Sequence, residues 1–229
     1  MNKYYYIFIF FMAGVIIALI QFDPVVPVHN NQEEKPYYSG VKGRNQVSLT
    51  FNVDWGQEYI PDLVEVLVEN DLQATFFITG SWAQKNPRLV KSIAQKGQEV
   101  GNHGFRHRHL YELDKQELER LLKKNEDPLL EITGQRTDLF APPYGDVDTR
   151  IASIAAQSGY RTIMWSVDTI DWKKPDSEII IQRAVNKIED GGIILMHPTQ
   201  PTVEALPEII TRIQERGFEF VPVSELIEY

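Results

Sequence analysis

Downstream of residue 45, short apolar runs alternate with amphipathic ones along the whole chain. Gln46–Val53, Ala74–Ile78, Glu99–Gly101, Leu139–Ala141, Arg161–Trp165, Gly192–Met196 and Phe218–Val223 have the length and composition of strands. Between them, Pro61–Glu69, Pro87–Gln95, Asp114–Leu130, Val147–Gln157, Ser177–Glu189 and Val203–Glu215 carry helical spacing. Several of these close on a glycine, at Gly97, Gly159 and Gly217. Alternation of this kind predicts an α/β fold with a parallel sheet and helices around it. Continuous apolar strands such as Ile193-Ile194-Leu195 suit burial on both faces. About seven parallel strands in so short a domain predict a closed or nearly closed, distorted (β/α) barrel. In such folds ligands gather at the carboxyl ends of the strands.

The pattern changes at the N-terminus. Tyr4–Phe22 is an apolar run of 19 residues without a formal charge, close to the roughly 20 a helix needs to span hydrocarbon. Lys3 precedes it and Asp23 follows, which places the domain on the extracytoplasmic side. No clear small-x-small site lies near Ile20–Pro27, so an uncleaved transmembrane helix is expected over a cleaved signal. The segments are therefore 1–22 as membrane anchor or signal segment, 23–45 as linker and 46–229 as domain. Pro24, Pro27, Pro36, Gly40 and Gly43 give the linker its character.

Composition adds exclusions. The net charge of −9 argues against a nucleic-acid partner. The lack of cysteine removes disulfides, thiolate metal sites and thiol nucleophiles.

Candidate chemistry falls at the predicted strand ends. Asn52 and Asp54 close the first, His103 and His107 follow the third, and Pro142-Pro143-Tyr144 follow the fourth. Asp168, Asp171 and Trp172 follow the fifth, and His197 the sixth. His103 and His107 stand at i and i+4, a spacing that on a helical turn sets two imidazoles on one face for a divalent metal. With Asp54 they would form a two-imidazole, one-carboxylate set suited to zinc, cobalt or nickel. Each residue also has a bland reading: surface histidines, a core His197 satisfied by backbone, core tryptophans at 165 and 172. Four of the five histidines, His103, His107, His109 and His197, lie at these ends, which favours the metal.

These residues carry a resemblance. Thr50-Phe51-Asn52-Val53-Asp54, His103-Gly104-Phe105-Arg106-His107, Ala141-Pro142-Pro143-Tyr144, Asp168-Thr169-Ile170-Asp171-Trp172 and Leu195-Met196-His197 stand in the order of the five motifs of the polysaccharide deacetylase family. Residues 46–228 thus resemble that family (carbohydrate esterase family 4, NodB homology), and the opening motif looks most like the branch of endospore-forming bacteria. The resemblance implies a distorted (β/α) barrel and metal-dependent removal of acetyl groups from N-acetylated glycan, here peptidoglycan or a spore-wall polymer. It implies His103 and His107 as metal ligands, with Asp54 chosen as the third. The Tyr144 backbone N–H would be the oxyanion donor and His197, held by Asp171, the acid for the leaving amine. Pro143, Trp172 and Leu195 would line the substrate groove. Four positions depart from the family pattern. Asn52 replaces the catalytic base, Val53 the metal-binding aspartate, Ala141 the arginine that pairs with the base, and Gly104 a Ser or Thr. Two functions follow: a deacetylase working without its usual base, or a membrane-anchored glycan-binding pseudoenzyme.

The full-length protein is expected in the membrane fraction, still carrying residues 4–22. Recovery from the medium without that segment would overturn the anchor.

Overall fold

The computed structural model of the chain describes residues 35–228. The proposed anchor, and the linker as far as residue 34, lie outside the described residues. Among those described, no helix is long and apolar enough to cross a membrane.

The order is β1 (Gln46–Val53), α1 (Ile60–Glu69), β2 (Thr75–Ile78), α2 (Gly80–Lys85), α3 (Pro87–Gln95), β3 (Glu99–Asn102), α4 (Lys115–Thr133), β4 (Leu139–Phe140), α5 (Thr149–Gln157), β5 (Arg161–Thr162), β6 (Val167–Asp168), α6 (Ser177–Lys187), β7 (Ile193–Met196), α7 (Gln200–Glu215), β8 (Glu219–Phe220) and α8 (Val223–Leu226). The strand pairings are all parallel and run β5-β4-β3-β2-β1-β7-β6, with β8 beside the start of β1. This is a curled half-barrel of seven strands on one path, consistent with the distorted (β/α) barrel.

Period-two alternation sorts β1 between two cores. Val47, Leu49, Phe51 and Val53 join the large cluster shared with α1, α6 and α7. Ser48, Thr50 and Asn52 face the other way, and the first two donate hydroxyls to the carbonyls of Val221 and Ile194. The interior side is filled by Phe77, Leu139, Ala141, Ile163 and Ile193, with Val223 and Leu226 of α8.

The helices sit close to where the pattern puts them, and their ends have local causes. Asp114 and Glu117 form a reciprocal capping box on α4, and Gly134 ends it in a left-handed conformation at φ 74°. The helix runs on through Pro128 to Thr133, past the expected end at Leu130. α2 is an addition; its Gly-Ser-Trp-Ala-Gln-Lys sequence is too short to show a period.

Two strands differ from expectation. Of the strand expected over Arg161–Trp165 only Arg161–Thr162 forms one, β5, and a separate short strand, β6, follows beyond it at Val167–Asp168. Between them Ile163 pairs with Tyr37, whose N–H donates to Thr162 and whose carbonyl accepts from Met164, both at 2.8 Å. The last strand stops at Phe220; Pro222 lacks an N–H and Val223 opens α8. Tyr37 belongs to the stretch assigned to linker. Gly40 and Val41 also hydrogen-bond the domain, at Gly191 (2.7 Å) and Leu226 (2.9 Å). These residues are part of the domain's edge: Tyr37 pairs with backbone groups left open between β5 and β6, and Gly40 and Val41 donate to the open carbonyls of Gly191 and Leu226.

Phe51 and Phe76 stack at 4.9 Å, fully buried between β1 and β2. Phe51→Ala is expected to cost about 3–5 kcal/mol, read as a lowered urea midpoint with unchanged slope. A loss under 1 kcal/mol would show that this core repacks.

Candidate functional site

Five chain segments deliver side chains to the carboxyl rim. Asn52 lies near the end of β1, 7% exposed, and its Oδ1 has no hydrogen-bond partner. A buried orphan acceptor costs roughly 1–3 kcal/mol. It can accept from a water or a substrate N–H, but an amide takes no proton at neutral pH. Val53 is fully buried among Phe51 and the helix-side core, so position 53 supplies no ligand.

His103 and His107 do meet, with ring centroids 5.1 Å apart. They do so on an irregular loop, not on the helical turn that their spacing suggested. The loop is pinned from three sides. Its Gly104 and Phe105 carbonyls accept from Gly80 and Ser81 at the start of α2, and the Phe105 N–H donates to Leu121 of α4. The Gly104 N–H donates to the Asn102 side chain at 2.7 Å. Gly104 has φ +75°, and a Cβ there would stand 2.4 Å from Leu121. The departure to glycine is therefore a packing requirement of this loop.

Asn102 anchors the arrangement. Fully buried, it donates to Leu122 and Tyr160 and accepts from Gly104 and Asn125, using all its capacity.

His103 Nδ1 donates to the Ala141 carbonyl at 2.7 Å, since that oxygen can only accept. Its Nε2 is buried with no partner. Burial, helped by the nearby His107, pushes the His103 pKa down to about 3, so the ring is neutral with a lone pair to offer. Burial lowers His107 as well, opposed by the charge of Asp54. Two neutral imidazoles, one with its tautomer fixed by a backbone acceptor, fit metal ligation. The third ligand is less developed. Asp54 accepts a hydrogen bond from Thr79 at 2.6 Å, and no set of three metal-ligating side chains is gathered among the described residues. The donor set therefore fits a two-imidazole grip.

Opposite stands His197. Its Nδ1 donates to Asp171 Oδ1 at 2.8 Å and its backbone N–H to Oδ2 at 2.6 Å. Thr202 of α7 donates to the same Oδ2 at 2.7 Å. Asp171 is 0% exposed, so these donors replace the water it has lost. It sits between Ile170 and Lys174, both at positive φ, 54° and 51°. A β-branched residue there is strained, and the loop is held in this form by packing.

Tyr144 also has positive φ, at 58°. Its backbone N–H has no backbone partner among the described residues. Its ring is 57% exposed and packs on His107 at 4.2 Å and His109 at 3.9 Å. The sequence did not single out Asp146, which accepts from His109 at 3.0 Å and from the Leu110 N–H at 2.9 Å. Nor did it single out Trp55, partly exposed and parallel to His197 with centroids 6.1 Å apart. A position two residues past Tyr144 or one past Asp54 was the only available signal for them. Thr202 gave none.

Of the expected groove residues, Trp172 is 50% exposed. Pro143 is buried, and Leu195 is 4% exposed on β7 beside Thr50. Neither offers much open wall. Ala141 lies in the interior apolar cluster with Phe77 and Ile163, and only its carbonyl reaches the site, through His103. Asp168 accepts from the Ile170 N–H at 2.8 Å, shaping the turn that presents Asp171.

In metal-free protein, the folded state refuses a proton at His103 that the unfolded chain accepts below pH 6.5. Stability should therefore fall as pH falls from 6.5 toward 3, by about 2 kcal/mol from this group between pH 7 and 5. Urea midpoints with chelator present test this. His103→Gln should show a shallower decline; identical slopes would contradict it.

Residues 39–163 match the family profile described as Polysaccharide deacetylase. YlxY of Bacillus subtilis is 37% identical over 208 residues, 91% of this chain and 65% of its own length, so this chain spans about two thirds of that relative. A peptidoglycan-N-acetylglucosamine deacetylase of Bacillus cereus is 31% identical, over 83% of this chain and 71% of that one. Among solved structures, wild-type BA3943 of Bacillus anthracis, described as a CE4 family pseudoenzyme, superposes with TM-score 0.83 at 40% identity, covering 85% of this chain and 69% of that one. A BA3943 mutant described as having restored enzymatic activity matches with the same TM-score at 39% identity, covering 85% and 72%. Deacetylases of this family are in general metal-dependent and hydrolyse N-acetyl amide bonds. On this match and this rim, the chain belongs to the polysaccharide deacetylase family.

Proposed function

We propose that this chain acts on N-acetylated cell-wall glycan of the peptidoglycan class, as a slow N-deacetylase. The leaving-group side of its site is whole and its water-activating side is reduced. One observation carries the proposal: a fully buried Asp171 holding His197 by ring and backbone together. Burying a carboxylate is costly, and a core histidine would be satisfied by one backbone acceptor.

In this reading His197, with its Nδ1–H committed to Asp171, has a lone pair on Nε2 that takes a proton from the attacking water and then gives it to the departing sugar amine as the C–N bond breaks. Water supplies the oxygen that leaves with the acetyl group as acetate. The Tyr144 N–H, set by its positive φ, stabilises the developing oxyanion. Asn52 orients the water through its open Oδ1 but, as an amide, cannot take its proton, which passes to His197 Nε2. His103 and His107 would hold a divalent cation, zinc, cobalt or nickel, with Asp54 as the third group. When bound, the cation supplies Lewis-acid polarisation of the acetyl carbonyl. The names of the relatives support the glycan class. A role in the walls of spore-formers, and anchoring by residues 4–22 with the domain outside the membrane, belong to the same proposal.

A second reading, binding of the glycan without turnover, is favoured by Asn52 and Ala141 together and by the likeness to BA3943. An arginine left at 141 beside an amide would be a buried charge without its partner, so the two losses go together.

The test is acetate release from N-acetylated glycans by the full-length protein with zinc. Release that His103→Ala abolishes would establish the enzyme. Binding of glycan without release would move the conclusion to the second reading. Restoring the pair, Asn52→Asp with Ala141→Arg, is expected to raise the rate by roughly 10²–10⁴, the usual worth of a general base. No gain would show that another group already performs that step.

A further inference from the structure

We propose that a cavity between the histidine loop and α4 is a subsite for the acidic peptide arm of a peptidoglycan strand. The proposal rests on the glycan reading above and specifies the substrate within it.

The cavity holds about 210 Å³. That is below the roughly 300–1,000 Å³ of pockets that enclose a whole ligand, so it suits a substituent and not a run of sugar rings. Its apolar walls are Phe105, Leu113 and Leu121. Around them stand Arg106, Arg108, Arg120 and Lys124, against the single carboxylate of Glu117. In a chain of net charge −9, this is a local surplus of three positive charges.

These cations lack protein partners. None of the four side chains makes an ion pair or a protein hydrogen bond among the described residues; Lys124 rests on the Phe105 ring at 4.2 Å. Elsewhere Arg136, Arg161 and Arg212 find carboxylates at 3.9, 2.8 and 2.6 Å. Glu117 offsets one of the four charges but makes no ion pair with them among the described residues; its Oε2 accepts from the Asp114 N–H in the helix cap. All four are exposed side chains ringing an open recess with an apolar floor; such a rim of cations matches carboxylates on short aliphatic stems, which is the chemistry of an acidic peptide.

Position links the cavity to the rim. Arg106 and Arg108 flank His107 in the chain. The His107 ring packs on Tyr144 while the two arginines line the cavity. One loop thus serves the N-acetyl site on one side and the anion site on the other.

The experiment measures binding of full-length protein to peptidoglycan strands with peptides intact and to strands stripped of peptide by an amidase. Wild type should prefer intact strands by about tenfold at low salt, and the preference should shrink at 0.5 M salt. Arg120→Gln with Lys124→Gln should remove most of that preference and leave stripped-strand binding unchanged. Glu117→Gln, which keeps the helix cap, should increase the preference. Equal binding of the two strands by wild type, or a preference that survives the double substitution, would overturn the subsite. So would loss of the preference to millimolar inorganic phosphate at constant ionic strength, which would mark a phosphate site. If stripped strands bind and lose affinity on His103→Ala, the glycan reading stands whatever the subsite does. If wild type binds neither strand, the glycan reading falls and takes the subsite with it.

Discussion

The rim of this domain depends on the two-residue alternation of β1. That strand is hydrogen-bonded to β2 and β7 along its length and to β8 at its start, so it cannot slip without inverting every side chain. Fixed this way, it sends Phe51 and Val53 into the helix-side core and Asn52 toward the site. The consequence is chemical. Val53 packs in that core and offers no polar group to the rim.

Two buried polar centres then hold the loops that β1 and its neighbours release. Asn102 uses both ends of its amide to fix the loop carrying His103 and His107. Asp171 collects three donors, the backbone and ring N–H of His197 just past β7 and the hydroxyl of Thr202 on α7. Each is satisfied within the protein, and breaking either would leave an uncompensated polar group in the interior. Among the buried atoms left without a partner are two at the rim, Asn52 Oδ1 and His103 Nε2. Strain accumulates in the same place, at Tyr144, Ile170 and Lys174. A rigid frame with unfilled valences at its mouth is an arrangement for holding a ligand.

The reduced half of the site is coherent. Asn52 and Ala141 lie on the interior side of the sheet, Ala141 inside an apolar cluster. A site that has lost both members of a charge pair pays no penalty for an unpaired ion. Asp171, by contrast, is also a structural tie between the end of β7 and α7.

Much of this was legible in the residues. The strand and helix alternation gave the α/β class, and five motifs in order gave the family and the rim positions of His103, His107, Asp171 and His197. Periodicity and composition suffice for these because burial and turn formation act locally. Other features required the fold. The loop form of residues 103–107 is set by α2 and α4, which the i, i+4 spacing could not report. The docking of Tyr37 between β5 and β6 arises from open backbone groups more than a hundred residues away. The burial of Pro143 and Leu195, the Asp146–His109 pair and the cation-lined cavity all join segments distant in sequence. The sequence by itself determined which chemical groups the protein owns and at which strand ends they fall. Only the tertiary structure decided which of them meet, because contact across a parallel sheet is set by register and loop packing, and neither is written in any local run of residues.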